Sequence, residues 1–335
     1  RYEHKYAHCD VLVIGAGPAG LAAAQTAGAA GARVILADEQ AECGGSLLSE
    51  LGRHVQIGEA VPADWLAAIK SVLADMDDVT VLPRTTAFGY YADNFVGLLE
   101  RVGDHLPGAD GVLRQRLWKV RAKQIILATG AIERSLVFAE NDRPGIMLAS
   151  AAQTYVNRYG VAPGSRIVVF TNNDSAYGAA IDMSAAGIVI EAVVDLRSRV
   201  DGDYPRLARE KGIPVMQGHT IVGTNGRYRV SAVSVMRLND AGDGVVGDAR
   251  RLKCDCVAIS GGWSPAVHLF SQSRGALIFG GQDGTFRPGD AMQAVRNAGA
   301  CDGATSLESC LLAGTEAGRG AALDVGCKEV DASAP

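Results

Sequence analysis

The sequence predicts an α/β fold in which one domain is interrupted by a second α/β domain. The chain has 335 residues, enough for two domains at about 150 residues each. Near its start, DVLVIG, PAGLAAAQTAGAAG and ARVILADE have the apolar strand, the helix and the second strand of a βαβ unit. A second strand–loop–helix pattern, SRIVVFTNNDSAYGAAIDMSAAG, follows later. We therefore expect a discontinuous first domain over 1–145 and 260–330, an inserted domain over 146–259, and a loose tail over 331–335.

The other elements of the first domain follow from hydrophobic periodicity. GEAVPADWLAAIKSVLADMDD predicts a helix that begins near Pro62 and carries one apolar stripe, formed by Trp65, Leu66, Ile69, Val72 and Leu73. VTVLPRTTAFGYYADNFVGLLERV predicts strands with a turn at 92–94, and QRLWKVRAKQIILATGA predicts two more strands. ATSLESCLLAGTEAGRGAALDV predicts the last helix.

The inserted domain begins with a helix, SAAQTYVNRYG, before its strand–loop–helix unit. IVIEAVVDLRS is its next predicted strand. RYRVSAVSVMRLN and RRLKCDCVAIS are typical of a β-meander, which we expect to return the chain to the first domain.

Composition excludes several classes of protein. Apolar residues make up 48% and charged residues 21%, which is typical of a soluble globular chain. The net charge is −5 without a basic run, so we expect neither a nucleic-acid nor a membrane partner. Seven scattered cysteines without a CxxC pair indicate reduced thiols and a cytoplasmic location. Because the chain opens with Arg1, we expect it to be part of a longer or processed polypeptide.

A dinucleotide-binding fingerprint stands at the turn of the first βαβ unit. In GAGPAG, Gly15 permits the sharp turn, Gly17 lets a pyrophosphate approach the backbone, and Gly20 lets the helix pack on the strand. The N-terminus of the helix then faces the phosphates. Asp38 ends the second strand, where an acid accepts hydrogen bonds from ribose hydroxyls and repels a 2′-phosphate. Glu39 is either a second ribose ligand or a solvated neighbour.

Two further glycine motifs follow in the expected order. CGG at 43–45 would bring a loop close to the pyrophosphate from the other side, and ATGA at 128–131 would end a buried strand beside the nucleotide. Each motif is weak alone. Together with the fingerprint and the acidic strand end, they are the pattern of the two-dinucleotide-binding-domain flavoproteins, which have the Rossmann-type FAD/NAD(P)-binding fold.

The sequence departs from that pattern in two places. The inserted domain would normally carry a second glycine fingerprint, but its loop is FTNNDSAYGAA, with Thr171 and Asn173 in place of glycines. We therefore expect a degenerate domain that does not bind NAD(P)H in the ordinary way. Flavoproteins also carry a Gly-Asp pair before the last helix. Gly289-Asp290 is such a pair, but AMQAVRNAGA follows it, whereas Gly299-Ala300 leads into the last helix; if Gly299-Ala300 is the equivalent, the aspartate is missing. The lost carboxylate would cost the flavin end a hydrogen bond of about 1.5–3 kcal/mol, which favours NAD over FAD.

Redox and catalytic side chains are missing from the places where this superfamily keeps them. Ser46 and two leucines follow the glycine pair instead of a cysteine pair. Cys254 and Cys256 would share one face of a strand, but two thiols make a poor metal or cluster site. None of the six histidines has a partner at metal or triad spacing. We propose no catalytic residue and no metal.

Longer segments carry a more specific resemblance. RYEHKYAHCDVLVIGAGPAG, ADEQAECGGSLL, RQRLWKVRAKQIILATGAIER, NDRPGIMLAS and YVNRYGVAPGSRIVVFTNND resemble the alpha subunit of bacterial heterotetrameric sarcosine oxidase. That resemblance covers nearly the whole chain. It implies that the chain corresponds to the middle of a longer subunit, between a ferredoxin-like and a folate-binding region.

The resemblance also implies a function and a set of partners. The complex, with beta, gamma and delta subunits, demethylates sarcosine oxidatively to glycine. FAD and a covalently held FMN, mainly on the beta subunit, pass electrons to oxygen to give hydrogen peroxide, and tetrahydrofolate takes the one-carbon unit. The alpha subunit holds NAD that is not known to turn over. Carried onto this chain, the cofactor-binding residues would be Gly15, Gly17, Pro18, Ala19, Gly20, Asp38, Glu39, Gly44, Gly45, Ser46, Ala87, Thr129, Gly130, Gly299 and Ala300.

Three hypotheses remain open from the sequence. The favoured one is a nucleotide-binding scaffold within an amine-oxidase complex. The second is an FAD-dependent oxidoreductase, either one that uses NAD(P)H or an amine or opine oxidase subunit. An NAD(P)H oxidoreductase would be a yellow protein that NADH bleaches. The third is a module that has lost nucleotide binding and only joins subunits.

Overall fold

The computed structural model describes residues 1–51, 55–108, 111–281 and 283–329. The described chain divides into two compact units, one of Arg1–Ile132 with the residues from Ser264 onward, the other of Glu133–Trp263. The first division therefore lies earlier in the chain than the expected 145, and the second slightly later than 260. The Glu133 carboxylate accepts hydrogen bonds from the backbone and hydroxyl of Ser150, which ties it to the second unit. The tail predicted at 331–335 lies outside the described residues.

The helices of the described residues, in chain order, are α1 (Pro18–Ala29), α2 (Pro62–Ala74), α3 (Ala149–Tyr159), α4 (Ser175–Ala185), α5 (Asp203–Glu210), α6 (His268–Gln272) and α7 (Leu307–Asp324). The strands are β1 (Tyr2–Ile14), β2 (Val34–Ala37), β3 (Val79–Leu82), β4 (Thr85–Tyr91), β5 (Phe95–Arg101), β6 (Gln115–Leu127), β7 (Ala131–Glu133), β8 (Ile146–Leu148), β9 (Arg166–Thr171), β10 (Val189–Asp195), β11 (Val215–Gln217), β12 (His219–Asn225), β13 (Ala232–Leu238), β14 (Val245–Lys253), β15 (Cys256–Ser260), β16 (Trp263–Pro265), β17 (Leu277–Gly280), β18 (Thr285–Pro288) and β19 (Val295–Asn297).

The first unit is built on a sheet with the strand order β3-β2-β1-β6-β5-β4, and β19 also pairs with β6. Strands β1, β2, β3, β6 and β19 are parallel, whereas β4, β5 and β6 form an antiparallel meander. One face of the sheet packs on α1, α2 and α7, and the other buries a second core that includes Tyr90, Val96 and Trp118. This sandwich places the carboxyl ends of the parallel strands next to the start of α1.

Close packing between α1 and α7 fixes the position of α1. A β-carbon at Gly314 would overlap the carbonyl of Ala19, and one at Gly318 would overlap the carbonyl of Ala23. These glycines let the two helices approach to backbone contact. Helix α7 therefore supports the first turns of α1 at Ala19 and Ala23.

The second unit has a parallel sheet with the order β11-β10-β9-β15-β8 and an antiparallel sheet with the order β12-β13-β14. Helices α3, α4 and α5 cover one face of the parallel sheet, and a core that includes Phe170 and Val233 lies on the other. The α/β character predicted for the insert is therefore present. We expected the β-meander to return the chain to the first domain, and this was wrong for β15. That strand pairs with β8 and β9 in the second unit and does not join the sheet of the first.

Three local predictions need correction. The segment 115–127 forms one continuous strand, β6, where we predicted two, because it pairs along its length with β1. Val72 is 39% exposed and does not belong to the buried stripe of α2. Cys254 and Cys256 do not share a strand face, because the chain turns between β14 and β15 and buries the two thiols in different cores.

Candidate functional site

The fingerprint glycines form the turn between β1 and α1. A β-carbon at Gly15, whose φ is +101°, would overlap the carbonyl oxygen of Ala128, and one at Gly20 would overlap the carbonyl oxygen of Gly15. Gly17 differs, because the atom nearest to a β-carbon there is the Gly45 Cα, 3.9 Å away. Gly15 and Gly20 are thus required by packing. Gly17 instead leaves open space in front of α1.

The N-terminus of α1 is free to receive an anion. Gly17 is the N-cap and supplies no side-chain hydrogen bond, and Pro18 occupies the first turn. The first N–H groups of a helix have no partner within the helix, and its dipole is positive at this end. The turn, Ala19 and the open space at Gly17 therefore form a phosphate-sized cradle.

The glycine pair closes on the same turn from the other side. The Gly44 N–H donates to the Ala16 carbonyl at 2.8 Å. Gly45 has a φ of +55°, and a β-carbon there would lie 2.8 Å from the Gly17 Cα. Ser46 follows in a short 3-10 turn with its side chain exposed. The two loops together, at 15–20 and 44–46, are called the nucleotide cradle below.

Asp38 follows β2 and points its carboxylate at the fingerprint turn. Its Oδ2 accepts from the Ala16 N–H at 2.5 Å and its Oδ1 accepts from the Gln40 N–H at 2.7 Å. The Asp38 carbonyl accepts from the Thr85 N–H at 2.7 Å, which joins this strand end to β4. A half-buried carboxylate is therefore fixed at the point where a ribose hydroxyl would need an acceptor.

Beyond Asp38 the site opens into a pocket of about 510 Å³, lined by Glu39, Gln40, Ala41, Arg84, Thr86 and Arg101. Glu39 is exposed at its rim. Ala87 packs its methyl group against the core and does not line this pocket. Sequence reasoning missed Arg84, Thr86 and Arg101. Thr86 reaches the pocket through the register of β4 with β5, and Arg84 and Arg101 through backbone hydrogen bonds with Gln40 and with each other; no local motif marks them.

The strand-end residues Thr129 and Gly130 lie beside the fingerprint turn. The Ala128 N–H donates to the Ile14 carbonyl at 2.8 Å, so β6 ends next to β1. The Thr129 hydroxyl donates to the Ala266 carbonyl at 2.8 Å. Gly130 has a φ of +73° and open space at its α-carbon, so the backbone here can approach a ligand closely.

Gly299 and Ala300 complete the ring of segments around the start of α1. They follow β19 in a short 3-10 turn that leads toward α7. Gly299 has a φ of +79°, and a β-carbon there would lie 2.7 Å from the Ala19 Cβ. Asp290 lies elsewhere, since its carbonyl accepts from the Ala276 N–H at the base of the β17–β18 hairpin. The residue that follows Gly299 is Ala300, whose side chain carries no carboxylate.

The corresponding loop of the second unit is filled by its own side chains. Asn173 Oδ1 accepts from the Ser175 N–H at 3.1 Å and from the Ser175 hydroxyl at 2.6 Å, at the start of α4. Asn173 Nδ2 donates to the Ser260 hydroxyl at 3.0 Å. The Thr171 hydroxyl donates to the Asn173 carbonyl at 3.0 Å. Side chains thus take hydrogen bonds that a phosphate would otherwise take at a glycine-rich turn.

The acid that ends β10 is also engaged within the protein. The fully buried Asp195 accepts from the Tyr177 hydroxyl at 2.8 Å and from Arg197 Nε and Nη2 at 3.1 and 2.8 Å. The same Arg197 Nη2 lies 2.7 Å from Asp174 Oδ1. Burial, and then the charge of Asp195, raises the pKa of the Tyr177 phenol. This carboxylate has no free approach for a ribose.

The two thiols considered above for a metal or cluster site, Cys254 and Cys256, are not activated. Burial raises the pKa of Cys254 and of Cys256 to about 12, so both are neutral thiols near neutral pH. Within the described ranges, no three His, Cys, Asp or Glu side chains come together to hold a metal ion. Across those same ranges, no helix is long and apolar enough to cross a bilayer.

Comparison with known proteins identifies the family. The family model for pyridine nucleotide-disulphide oxidoreductases matches residues 9–286. The sarcosine oxidase alpha subunit of Corynebacterium sp. (strain P-1) is 43% identical over 333 residues, covering 98% of this chain and 34% of that subunit. The chain thus spans about a third of the length of the curated relatives it matches.

Solved structures show the same fold at low sequence identity. L-proline dehydrogenase from P. horikoshii has a TM-score of 0.71 at 19% identity, covering 98% of this chain and 58% of that one. T. acidophilum thioredoxin reductase has a TM-score of 0.70 at 17% identity, covering 95% of this chain and 98% of that one. The predicted FAD/NAD(P)-binding Rossmann-type fold is confirmed. The chain belongs to the pyridine nucleotide-disulphide oxidoreductase family, and within it resembles a segment of the sarcosine oxidase alpha subunits, as its motifs indicated.

Proposed function

We propose that this chain is the NAD-binding segment of a sarcosine oxidase alpha subunit and acts as a nucleotide-holding scaffold. The observation that carries the proposal is the contrast between the two units. The first unit has an open nucleotide cradle with the Asp38 carboxylate beside it. In the second unit, Asn173 fills the equivalent turn, and Arg197 binds the equivalent acid, Asp195. One dinucleotide per chain follows from this contrast.

The residues of the first unit fit the ADP part of a dinucleotide. Gly17 leaves room for the pyrophosphate, Gly45 lets the second loop close on Gly17, and the N-terminus of α1 supplies N–H donors and a positive dipole end. Asp38 accepts from a ribose hydroxyl and disfavours a 2′-phosphate, which selects NAD over NADP. Ala300 offers no carboxylate to a flavin ribityl chain, which favours NAD over FAD.

The activity belongs, on this proposal, to the assembled complex. Sarcosine is demethylated oxidatively to glycine, with hydrogen peroxide and methylenetetrahydrofolate as the other products. FAD and FMN, held mainly by a beta subunit, supply the redox chemistry. This chain contributes its nucleotide cradle and its contacts to beta, gamma and delta subunits in the cytoplasm. Its similarity to sarcosine oxidase alpha subunits over 98% of its length supports the proposal.

Nucleotide titration of the isolated chain tests the proposal. We expect NAD to bind saturably at one site, NADP to bind at least about tenfold more weakly, and FAD not to bind. We expect no sarcosine turnover without the other subunits. A yellow protein that NADH bleaches would instead establish an FAD-dependent reductase, and sustained turnover by the chain alone would contradict the scaffold role.

A further inference from the structure

One face of the first unit is exposed, aromatic and basic. It is the face of β1, β6, β5 and β4 opposite the core of Tyr90, Val96 and Trp118. Strand register aligns its side chains in rows, of which one contains Tyr6, Lys119, Gly97 and Gly89, and the next contains His8, Arg121, Phe95 and Tyr91. We call this surface, with Tyr2 and Phe88, the outer face.

The aromatic rings of the outer face are large and open to solvent. Tyr2 is 72% exposed, Tyr6 71%, Phe88 48% and Tyr91 50%. The Phe88 ring lies over Gly97, where a β-carbon would overlap it. Tyr91 covers Gly89 in the same way and packs on Phe95 at 5.8 Å between ring centroids. Glycines on neighbouring strands thus let two rings cover the backbone of the sheet, which makes an apolar floor.

Cations border this floor. Lys119 Nζ lies 5.0 Å from the centroid of the Tyr6 ring and donates to its hydroxyl at 3.2 Å. Arg121 is half exposed, and its carboxylate neighbour Asp93 is 3.9 Å away at the β4–β5 turn. Arg101 is not one of these bordering cations, because it lines the pocket beyond Asp38 and donates to the Glu39 carbonyl at 3.2 Å. The carboxylate that β1 carries at Asp10, two residues after His8, is paired with Lys123 of β6 at 2.9 Å. The face is therefore locally basic on a chain of net charge −5.

The same surface ends in a free strand edge. Strand β2 pairs with β1 only from Val11 onward. In the described part of the chain, the segment Tyr2–Cys9 pairs with β6 alone. An open edge of this length can accept hydrogen bonds from an added strand.

We propose that the outer face docks a protein partner that presents carboxylates around an apolar contact and lays an extended segment along the free edge of β1. Exposed Tyr and Arg side chains around an apolar centre are the residues that dominate protein interfaces. A single-stranded nucleic acid would also stack on such rings, but it needs a longer track of cations than Lys119 and Arg121 supply. The inference rests on the proposed function only in taking this chain as a subunit of a complex.

Zero-length coupling of amines to carboxylates in the purified complex tests the contact. A carbodiimide joins a lysine to an acid only where the two touch. We expect Lys119 to be joined to an Asp or Glu of another polypeptide, while Lys253, exposed on β14 of the second unit, is not. Coupling of Lys119 only within its own chain, or no coupling, would overturn the proposal.

Charge reversal provides the second test, in the co-expressed complex. Lys119→Glu with Arg121→Glu should weaken assembly about tenfold or more, whereas Arg251→Glu with Lys253→Glu, an equal charge change on β14, should leave it unchanged. Tyr2→Ser with Tyr6→Ser should weaken assembly without any change of charge. Equal effects of the outer-face and β14 pairs, or binding of a labelled single-stranded oligonucleotide at the outer face, would contradict the docking of an acidic protein.

Nucleotide content separates this inference from the proposed function. It should be the same in all these variants, because the outer-face side chains lie outside the nucleotide cradle. Impaired assembly with normal nucleotide content supports the outer face. Normal assembly of a wild-type complex that holds no NAD would overturn the proposed function and leave the docking inference standing.

Discussion

At the scale of single residues, the fingerprint glycines have separable roles. Gly17→Ala places a methyl group in open space, so we expect the melting temperature to change by less than about 2 °C and NAD affinity to fall about tenfold or more. Gly20→Ala places the methyl against the Gly15 carbonyl and should destabilise the fold itself by about 2 kcal/mol or more. Calorimetry of both variants checks this, with Gly223→Ala as a control whose new methyl group also meets open space. Equal nucleotide binding by Gly17→Ala and wild type would contradict the role given to Gly17.

On the proposed function, Asp38 selects NAD over NADP. Asp38→Asn removes the negative charge and one of the two carboxylate acceptors that Ala16 and Gln40 now engage. We expect NAD affinity to fall about tenfold, which corresponds to the loss of one charged hydrogen bond, and the preference against NADP to shrink. Isothermal titration with both nucleotides measures this. Glu39→Gln, at the exposed rim, should change either affinity less than twofold, and a larger effect there would move the ribose contact to Glu39.

At the scale of elements, Asp10 of β1 binds Arg33, which directly precedes β2, and Lys123 of β6. It accepts from Arg33 Nε at 2.9 Å and from Arg33 N at 3.0 Å, and its Oδ1 lies 2.9 Å from Lys123 Nζ. The hydrogen bonds from Arg33, and then those from Lys123, hold the pKa of the Asp10 carboxyl well below its usual range. Because the folded pKa is depressed, its stabilisation is present above about pH 4 and is lost as the pH falls below that value.

The decrease in the free energy of unfolding at acid pH should therefore depend on Asp10. We expect the free energy of unfolding of Asp10→Asn to vary less between about pH 5 and 3 than that of the wild type. Urea denaturation across this range measures the difference. Asp93→Asn, at an exposed turn, should leave the slope as it is in the wild type. A wild-type slope in Asp10→Asn would contradict this assignment.

In the second unit, the guanidinium of Arg197 is paired with the buried carboxylate of Asp195. Arg197→Ala would leave the fully buried Asp195 with Tyr177 but without its charged partner, so we expect a loss of about 3 kcal/mol in the free energy of unfolding. Arg197→Lys should fall between that variant and the wild type, since one ammonium cannot reproduce the paired guanidinium bonds. Denaturant melts give both values. A loss below about 1 kcal/mol in Arg197→Ala would show that Asp195 is reached by water.

Local patterns predicted the elements better than the contacts between them. The βαβ unit, α2 and α7 follow from short stretches whose periodicity is self-contained. The single strand β6 and the pairing of β15 with β9 depend on partners far away in sequence, which no local pattern specifies. For the same reason the sequence marked Asp38 but not Arg84 or Arg101, whose positions at the pocket follow from backbone hydrogen bonds with Gln40 and with each other.

At the scale of the whole molecule, one unit has an open nucleotide cradle, and the other has the equivalent turn filled by its own side chains. The sequence anticipated this division from Thr171 and Asn173 in the second turn. It did not show that Asn173, Arg197 and Tyr177 take the hydrogen bonds there. The replacement of glycines is visible in the local sequence. The side chain that fills the space depends on contacts with residues that are distant in sequence.

Identification of the small molecule released on denaturation tests the central claim most directly. The chain would be purified with whatever it holds, denatured, and the supernatant examined by absorbance and mass spectrometry. We predict NAD at about one per chain and no flavin, because one cradle is open and Ala300 offers no acid to a ribityl chain. FAD in the supernatant would contradict the account and make this segment a redox centre in its own right.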